Sequence, residues 1–152
     1  MKHKSISLSL ATLGPIGYLP APGTMATLCT LPFIYLFSFF AIPTSVYIVG
    51  ICIAAIIAFK IIEKALEGFR QRDPSEIVLD EVVGCLIVFL AVPVTVPTLL
   101  AGFFLFRFFD IAKPFGIKKT ELLYGSLGVM MDDILCGILV NIILTKALVY
   151  FG

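Results

Sequence analysis

Four apolar runs, at roughly residues 25–42, 45–62, 82–106 and 134–151, make up about half of the chain, and nearly all of its charge falls between them. A helix needs about 20 apolar residues to cross a bilayer, with about 17 as the lower end. The first two runs come close and are separated by "IPTS" (42–45), a short Pro-containing turn, so they read as a helical hairpin. The third contains "AVPVTVPT" (91–98), whose two prolines remove backbone donors and end or kink helices. It divides into two short helices, 76–92 and 98–112, joined by that turn.

Charge placement supports the division. With the short hairpin in place, Lys2, Lys4, Lys64, Arg70, Arg72, Arg107, Lys113, Lys118 and Lys119 all face one side, with Lys60 near it. The positive-inside rule makes that side the cytoplasm. The expected fold is all-α: a multi-pass integral membrane bundle of about five helices, one membrane-embedded domain over residues 1–152. Its N-terminus lies inside and its C-terminus outside. Composition agrees, since 60% of the residues are hydrophobic and 14% charged, against about half and a quarter in soluble domains. A net charge of +1 argues against a nucleic-acid binder, which needs a basic face. The four cysteines sit inside apolar runs without a C-x-x-C pair, and His3 is the single histidine. Zinc ligation and a disulfide framework are thereby set aside.

The same topology gathers acids from distant stretches onto one membrane surface. In "RDPSEIVLDEVVG" (72–84), Asp73 or Ser75 caps a helix with Pro74 near its first turn. Asp80 and Glu81 then fall more than a turn inside, against membrane-depth residues. Ionisable groups are costly there and usually persist for a function. In "FRFFDIAKP" (106–114), Arg107, Asp110 and Lys113 share one helical face; an intrahelical ion pair with snorkelling cations is the bland alternative. "GVMMDDILCG" (128–137) places Asp132 and Asp133 at a helix start, about 100° apart, and two adjacent acids without a cation invite a divalent ion.

Several carboxylates without a usable histidine or thiolate describe a hard, all-oxygen site suited to Mg²⁺, or Mn²⁺ as its relative. Asp80, Glu81, Asp132 and Asp133 are the candidate metal ligands, and with Asp110 they form the candidate catalytic acids. Which acid binds metal and which acts as base stays open. Arg107 and Lys113 supply positive charge for a phosphate. "GPIGYLPAPGTMATL" (14–28) adds a Gly-rich turn at Gly23 and Thr24, opening a helix whose N–H groups can receive a phosphate. It lacks the Walker spacing and is no P-loop, and a plain re-entrant turn is the other reading of the stretch.

Four of these stretches in register, "LPAPGTMATL", "DPSEIVLDEVVG", "FRFFDIAKPFGI" and "GVMMDDILCGI", resemble the phosphatidylglycerophosphatase A family of bacterial membrane lipid phosphatases. The resemblance implies Mg²⁺-dependent hydrolysis of phosphatidylglycerophosphate to phosphatidylglycerol and phosphate. It implies a lipid substrate drawn from the membrane bilayer, a place in the bacterial inner membrane, and an active site on the cytoplasmic face. Carried onto this chain, the family's motif acids are Asp80, Glu81, Asp110, Asp132 and Asp133, with Arg107 and Lys113 beside them. Phosphatidyl-alcohol transferases are excluded because their D-G-x-x-A-R pattern has no match, and histidine-dependent lipid phosphatases because of the lone His3. A small ion transporter with a carboxylate cation site is the alternative from another class. It would place acids midway along the apolar runs, where only Asn141 and Lys146 lie. Oligomeric state is not encoded in any of these features.

Overall fold

The computed structural model describes residues 6–71, 73–114, 117, 120 and 123–151. Within them the chain is all-α: α1 (Ile6–Ala11), α2 (Pro22–Ser38), α3 (Thr44–Leu66), α4 (Leu79–Val88), α5 (Val96–Ala112) and α6 (Ser126–Phe151). Five of these correspond to the expected helices, and α1 is additional. Of the cations grouped from sequence, Lys2, Lys4, Arg72, Lys118 and Lys119 lie outside the described residues.

Two helices, α3 and α6, are long and apolar enough to cross a membrane. Only 11% of the apolar window of α3 is buried, so this helix turns hydrocarbon outward on nearly every side. Among its outward residues are Val46, Val49, Ile53, Ile56 and Ile57. A helix apolar all round belongs in a core or in lipid.

The short α4 packs against α2, α3, α5 and α6 at once. Glycines allow this crowding. A Cβ on Gly137 of α6 would sit 2.5 Å from the Gly84 carbonyl oxygen of α4, and one on Gly84 would sit 2.7 Å from Phe106 Cζ of α5. Backbones meet directly there, as small residues permit between membrane helices. Around this contact Cys85, Val88, Phe106, Cys136 and Val140 form one buried cluster. A second cluster joins Ala11 to Ala58, Ile62, Val83 and Val129.

A ten-residue helix is about 15 Å long, so α4 ends inside the bundle, where its last carbonyls need donors. Flanking helices supply them. Tyr47 Oη of α3 donates to Leu86 O (3.0 Å), and Asn141 Nδ2 of α6 donates to Val88 O (3.0 Å) and Leu90 O (2.7 Å). The deep polar residue Asn141 is therefore a cap for a neighbouring helix.

The hairpin boundaries differ from the sequence reading. The first arm starts at Leu79 rather than 76, because Ile77 N–H donates to Pro74 O (3.0 Å) and Val78 N–H to Ala11 O (2.9 Å). Those bonds hold 73–78 as a loop, and neither Asp73 nor Ser75 caps α4; its N-cap is Val78, without a side-chain bond. The arm ends at Val88 rather than 92, the turn passing through Ala91 at φ +56°. The second arm starts at Val96 rather than 98. Thr95 and Thr98 form a reciprocal capping box, with Pro97 inside the first turn, where a proline costs no hydrogen bond. The last run also starts early, at Ser126. Its N-terminus follows Gly125 at φ +68° and is capped from α3 by Glu63 Oε2, which accepts from Ser126 N–H (2.9 Å) and Oγ–H (2.6 Å).

Candidate active site

Four helices bring their charged ends to one cleft of about 340 Å³. The α4 N-terminus contributes Asp80 and Glu81, the C-terminal turns of α5 contribute Arg107 and Asp110, with Lys113 just beyond, and α6 contributes Asp132 and Asp133. The α2 N-terminus closes the group with Gly23 and Thr24. All nine residues singled out from sequence thus line a single cavity.

Two placements differ from expectation. Asp80 and Glu81 occupy the first turn of α4, not a position more than a turn inside, because the helix starts late. Asp132 and Asp133 lie nearly two turns inside α6, because that helix starts early. The α4 dipole favours two acids at its N-terminus, by about 0.3–1 kcal/mol each. That is small against what opposes them. Asp80, Glu81 and Asp133 each offer an oxygen such that all three lie within 4.8 Å of one another; at an effective dielectric of about 20, like charges so spaced repel by about 3 kcal/mol per pair.

The Arg107 guanidinium, which meets Glu81 Oε1 beside Gly23, offsets only part of that repulsion. Asp80 Oδ1, Glu81 Oε2, Asp132 Oδ1 and Asp133 Oδ1 are buried and accept no hydrogen bond. Buried polar atoms are normally paired, so four orphaned carboxylate oxygens in one cleft mark a place for a cation. Asp80, Glu81 and Asp133 can together hold a metal ion, and their all-oxygen donor set suits a hard one. Asp132 stands differently from the other three, since its Oδ2 is engaged by the Lys113 ammonium. The adjacent acids of α6 therefore diverge: Asp133 turns to the acid cluster and Asp132 to a lysine.

Asp110 is drawn toward Arg107, its Oδ2 lying 2.9 Å from Nη1, with both side chains 13% exposed. Among the described residues, no acceptor is aligned on Nε or Nη1, so the guanidinium that lines the cleft retains unengaged donors. A planar fork of this kind matches a phosphate.

The α2 N-terminus fits tightly over these groups. A Cβ on Gly23 would collide with Glu81 Oε1 and lie 3.0 Å from Arg107 Nη2, so only glycine lets the chain approach both. Ala21 enters the helix at φ +53°, and Pro22 occupies its first turn. The N–H groups of Gly23 and Thr24 precede the first intrahelical bond, Met25 N–H to Ala21 O (3.1 Å). Such donors at a helix N-terminus suit an anion.

Sequence reasoning missed the residues that hold these elements in place: Glu63, Tyr47, and Gly17, whose Cα leaves no room for a Cβ beside the Glu76 carbonyl. Glu63 and Tyr47 lie far from the cleft residues in sequence with no local motif to mark them, whereas Gly17 belongs to the Gly-rich stretch 14–28 and its packing role against residue 76 is a long-range contact. A second cavity of about 260 Å³ at the opposite end of the bundle, lined by Phe37, Tyr47 and Phe89 among others, carries no charged group.

Known proteins are similar in sequence over most of this chain. A Bacteroides thetaiotaomicron protein with the provisional name phosphatidylinositol-3-phosphatase is 38% identical over 138 residues, covering 86% of each chain. The phosphatidylglycerophosphatase A of Escherichia coli is 32% identical over 120 residues, 78% of this chain and 69% of that protein. The phosphatidylglycerophosphatase A of Haemophilus influenzae is 36% identical over 122 residues, 78% of this chain and 74% of that protein. No solved structure matches. Residues 9–148 match the phosphatidylglycerophosphatase A family, a span that takes in every cleft residue above, and the chain belongs to that family.

Proposed function

We propose that the protein is a Mg²⁺-dependent lipid phosphatase that hydrolyses phosphatidylglycerophosphate to phosphatidylglycerol and phosphate at the cytoplasmic face of the bacterial inner membrane. The observation that carries the reading is the orphaned carboxylate trio of Asp80, Glu81 and Asp133 beside the inward-facing Arg107. Acids and a guanidinium in one buried cleft suit a metal together with a phosphate. Family membership supports the phosphomonoester as substrate.

Asp80, Glu81 and Asp133 would hold the metal, which when bound lowers the pKa of water and neutralises phosphoryl oxygens. The remaining groups have assignable work. Arg107 and the Gly23 and Thr24 N–H groups bind the phosphate, and Asp110 orients Arg107 by its ion pair. Lys113 neutralises Asp132 and adds positive charge at the same rim. Asp132 Oδ1, not engaged by the lysine, is placed to take a proton from attacking water, giving direct hydrolysis. An aspartyl-phosphate on Asp80 or Asp132 is the alternative route. Acid-quenching during turnover of ³²P-labelled substrate separates the two, since an aspartyl-phosphate leaves label trapped on the protein and direct attack leaves none.

For the membrane placement, Lys60, Lys64, Arg70, Arg107 and Lys113 belong to the same end as the acids, which the positive-inside rule assigns to the cytoplasm. The outward hydrocarbon of α3 supports a lipid environment.

The primary test is phosphate release from phosphatidylglycerophosphate by purified protein in detergent, with Mg²⁺ or EDTA, beside Asp133→Asn. Release that requires Mg²⁺ and falls by about 10²–10³-fold in the variant is expected, on the order of what removal of one preorganised stabilising group costs. No release by folded protein under any divalent metal would overturn the reading. Phosphatidylinositol 3-phosphate belongs in a parallel arm, because one relative's name carries that substrate; faster turnover there would reassign the headgroup while keeping the chemistry.

A further inference from the structure

The cleft opens through two rims of different character. The loop after α3 exposes Asp73 and Ser75 at one part of its wall, whereas α5 exposes Ile111. Ile111 is 74% exposed although it lines the same cavity as Arg107 and Asp110. Down α5 from Ile111, Phe108 and Phe104 are also outward, at 63% and 65%. Positions 104, 108 and 111 fall on one helical face, a stripe about 10 Å long at 1.5 Å per residue. Helix α5 therefore turns its charged pair into the cleft and an apolar stripe outward, and the two surfaces meet at the rim.

We propose that the substrate lipid enters the cleft sideways from the bilayer past Ile111. Its acyl chains lie along Ile111, Phe108 and Phe104 while its phosphate reaches Arg107. This rests on the lipid phosphatase reading above. The occupant follows from continuity: a molecule with a phosphate in the cleft and hydrocarbon attached must leave the site through an apolar edge. The other pronounced apolar groove, between α3 and α6 at Ile56, Phe59 and Met130, shares no lining residue with the cleft. The α5 stripe, by contrast, continues from the cleft's own lining at Ile111. The polar rim at Asp73 and Ser75 is left for water to enter and for phosphate to leave.

The test compares two substrates on Phe104→Asn and Phe108→Asn, with Ile56→Asn as control. One substrate is phosphatidylglycerophosphate in mixed micelles; the other is its deacylated, water-soluble headgroup phosphate. Lost apolar contacts discriminate by about tenfold or more. The α5 variants are expected to raise KM for the lipid about tenfold, with kcat/KM for the soluble phosphate unchanged and the control unaffected on both. Equal losses on both substrates, or no loss on either, would overturn the proposal. If unaltered protein turns over neither substrate, the phosphatase reading fails first. A second measurement does not depend on turnover: phosphatidylglycerophosphate with a diazirine in its acyl chain should label Phe104 and Phe108 well above Ile56. Even labelling around the bundle would overturn the lateral route by itself.

Discussion

Gly23 shows how one residue can set an active site's geometry without contributing a functional group. Its missing Cβ is where Glu81 Oε1 and the Arg107 guanidinium come together, so Gly23→Ala must push one of them aside. A displacement of about 1 Å at reacting groups costs on the order of 10²-fold in rate. We expect that loss in kcat with a thermal midpoint close to that of the unaltered protein, measured on the same detergent-purified sample. The acid trio makes the opposite prediction for stability. In metal-free protein the three carboxylates repel, so Asp80→Asn should raise the midpoint in EDTA while removing activity. Relief of about 1 kcal/mol corresponds to roughly 2–4 °C for a chain of this size. A midpoint that falls instead would mean that the carboxylate is paired in the metal-free state. Such a gain in stability with loss of function is the common signature of a strained site.

At the level of elements, the apolar runs and the proline-rich turn were legible in the sequence because hydrocarbon content and missing N–H groups are local properties. The seven charged cleft residues were legible for a related reason, since charge beside apolar runs is conspicuous wherever it falls, and Gly23 and Thr24 were legible from their Gly-rich turn. Boundaries were less legible. The late start of α4 depends on Val78 pairing with Ala11, and the early start of α6 depends on Glu63 capping Ser126, partners 63 residues apart. No periodicity in one segment reports a bond made by another. Two substitutions test these long-range caps. Asn141→Leu leaves the Val88 and Leu90 carbonyls without their donor. Each unsatisfied buried group costs about 1–3 kcal/mol, so the thermal midpoint should fall by several degrees while kcat of the folded fraction is retained. Glu63→Gln keeps an acceptor for Ser126 and should be mild, whereas Glu63→Ala should cost about 1 kcal/mol, the usual worth of an N-cap. Equal effects of the two substitutions would mean that charge, not the hydrogen bonds, is what α6 requires.

At the scale of the whole molecule, the proposed orientation follows from which end carries the cations, and that is open to direct measurement. Ser75 is exposed at the rim of the charged cleft, and Ser38 is exposed at the end of α2, roughly 25 Å away along a helix of 17 residues. If the charged end faces the cytoplasm, a thiol at position 75 is hidden from an impermeant maleimide added to intact spheroplasts, and a thiol at position 38 is open to it. Cys29 and Cys52 are exposed on the outer surface and Cys85 and Cys136 are buried, so Ser75→Cys and Ser38→Cys belong in a background with the first two replaced by serine. We expect Ser38→Cys to be labelled in intact spheroplasts and Ser75→Cys only after permeabilisation. The reverse pattern would place the cleft outside, where the clustered lysines and arginines would contradict the charge rule. The substrate phosphate would then have to reach the cleft from the outer leaflet. Labelling of both in intact spheroplasts would mean that the two ends of α2 are not separated by the bilayer, and the bundle would sit shallower in it than its hydrocarbon surface requires.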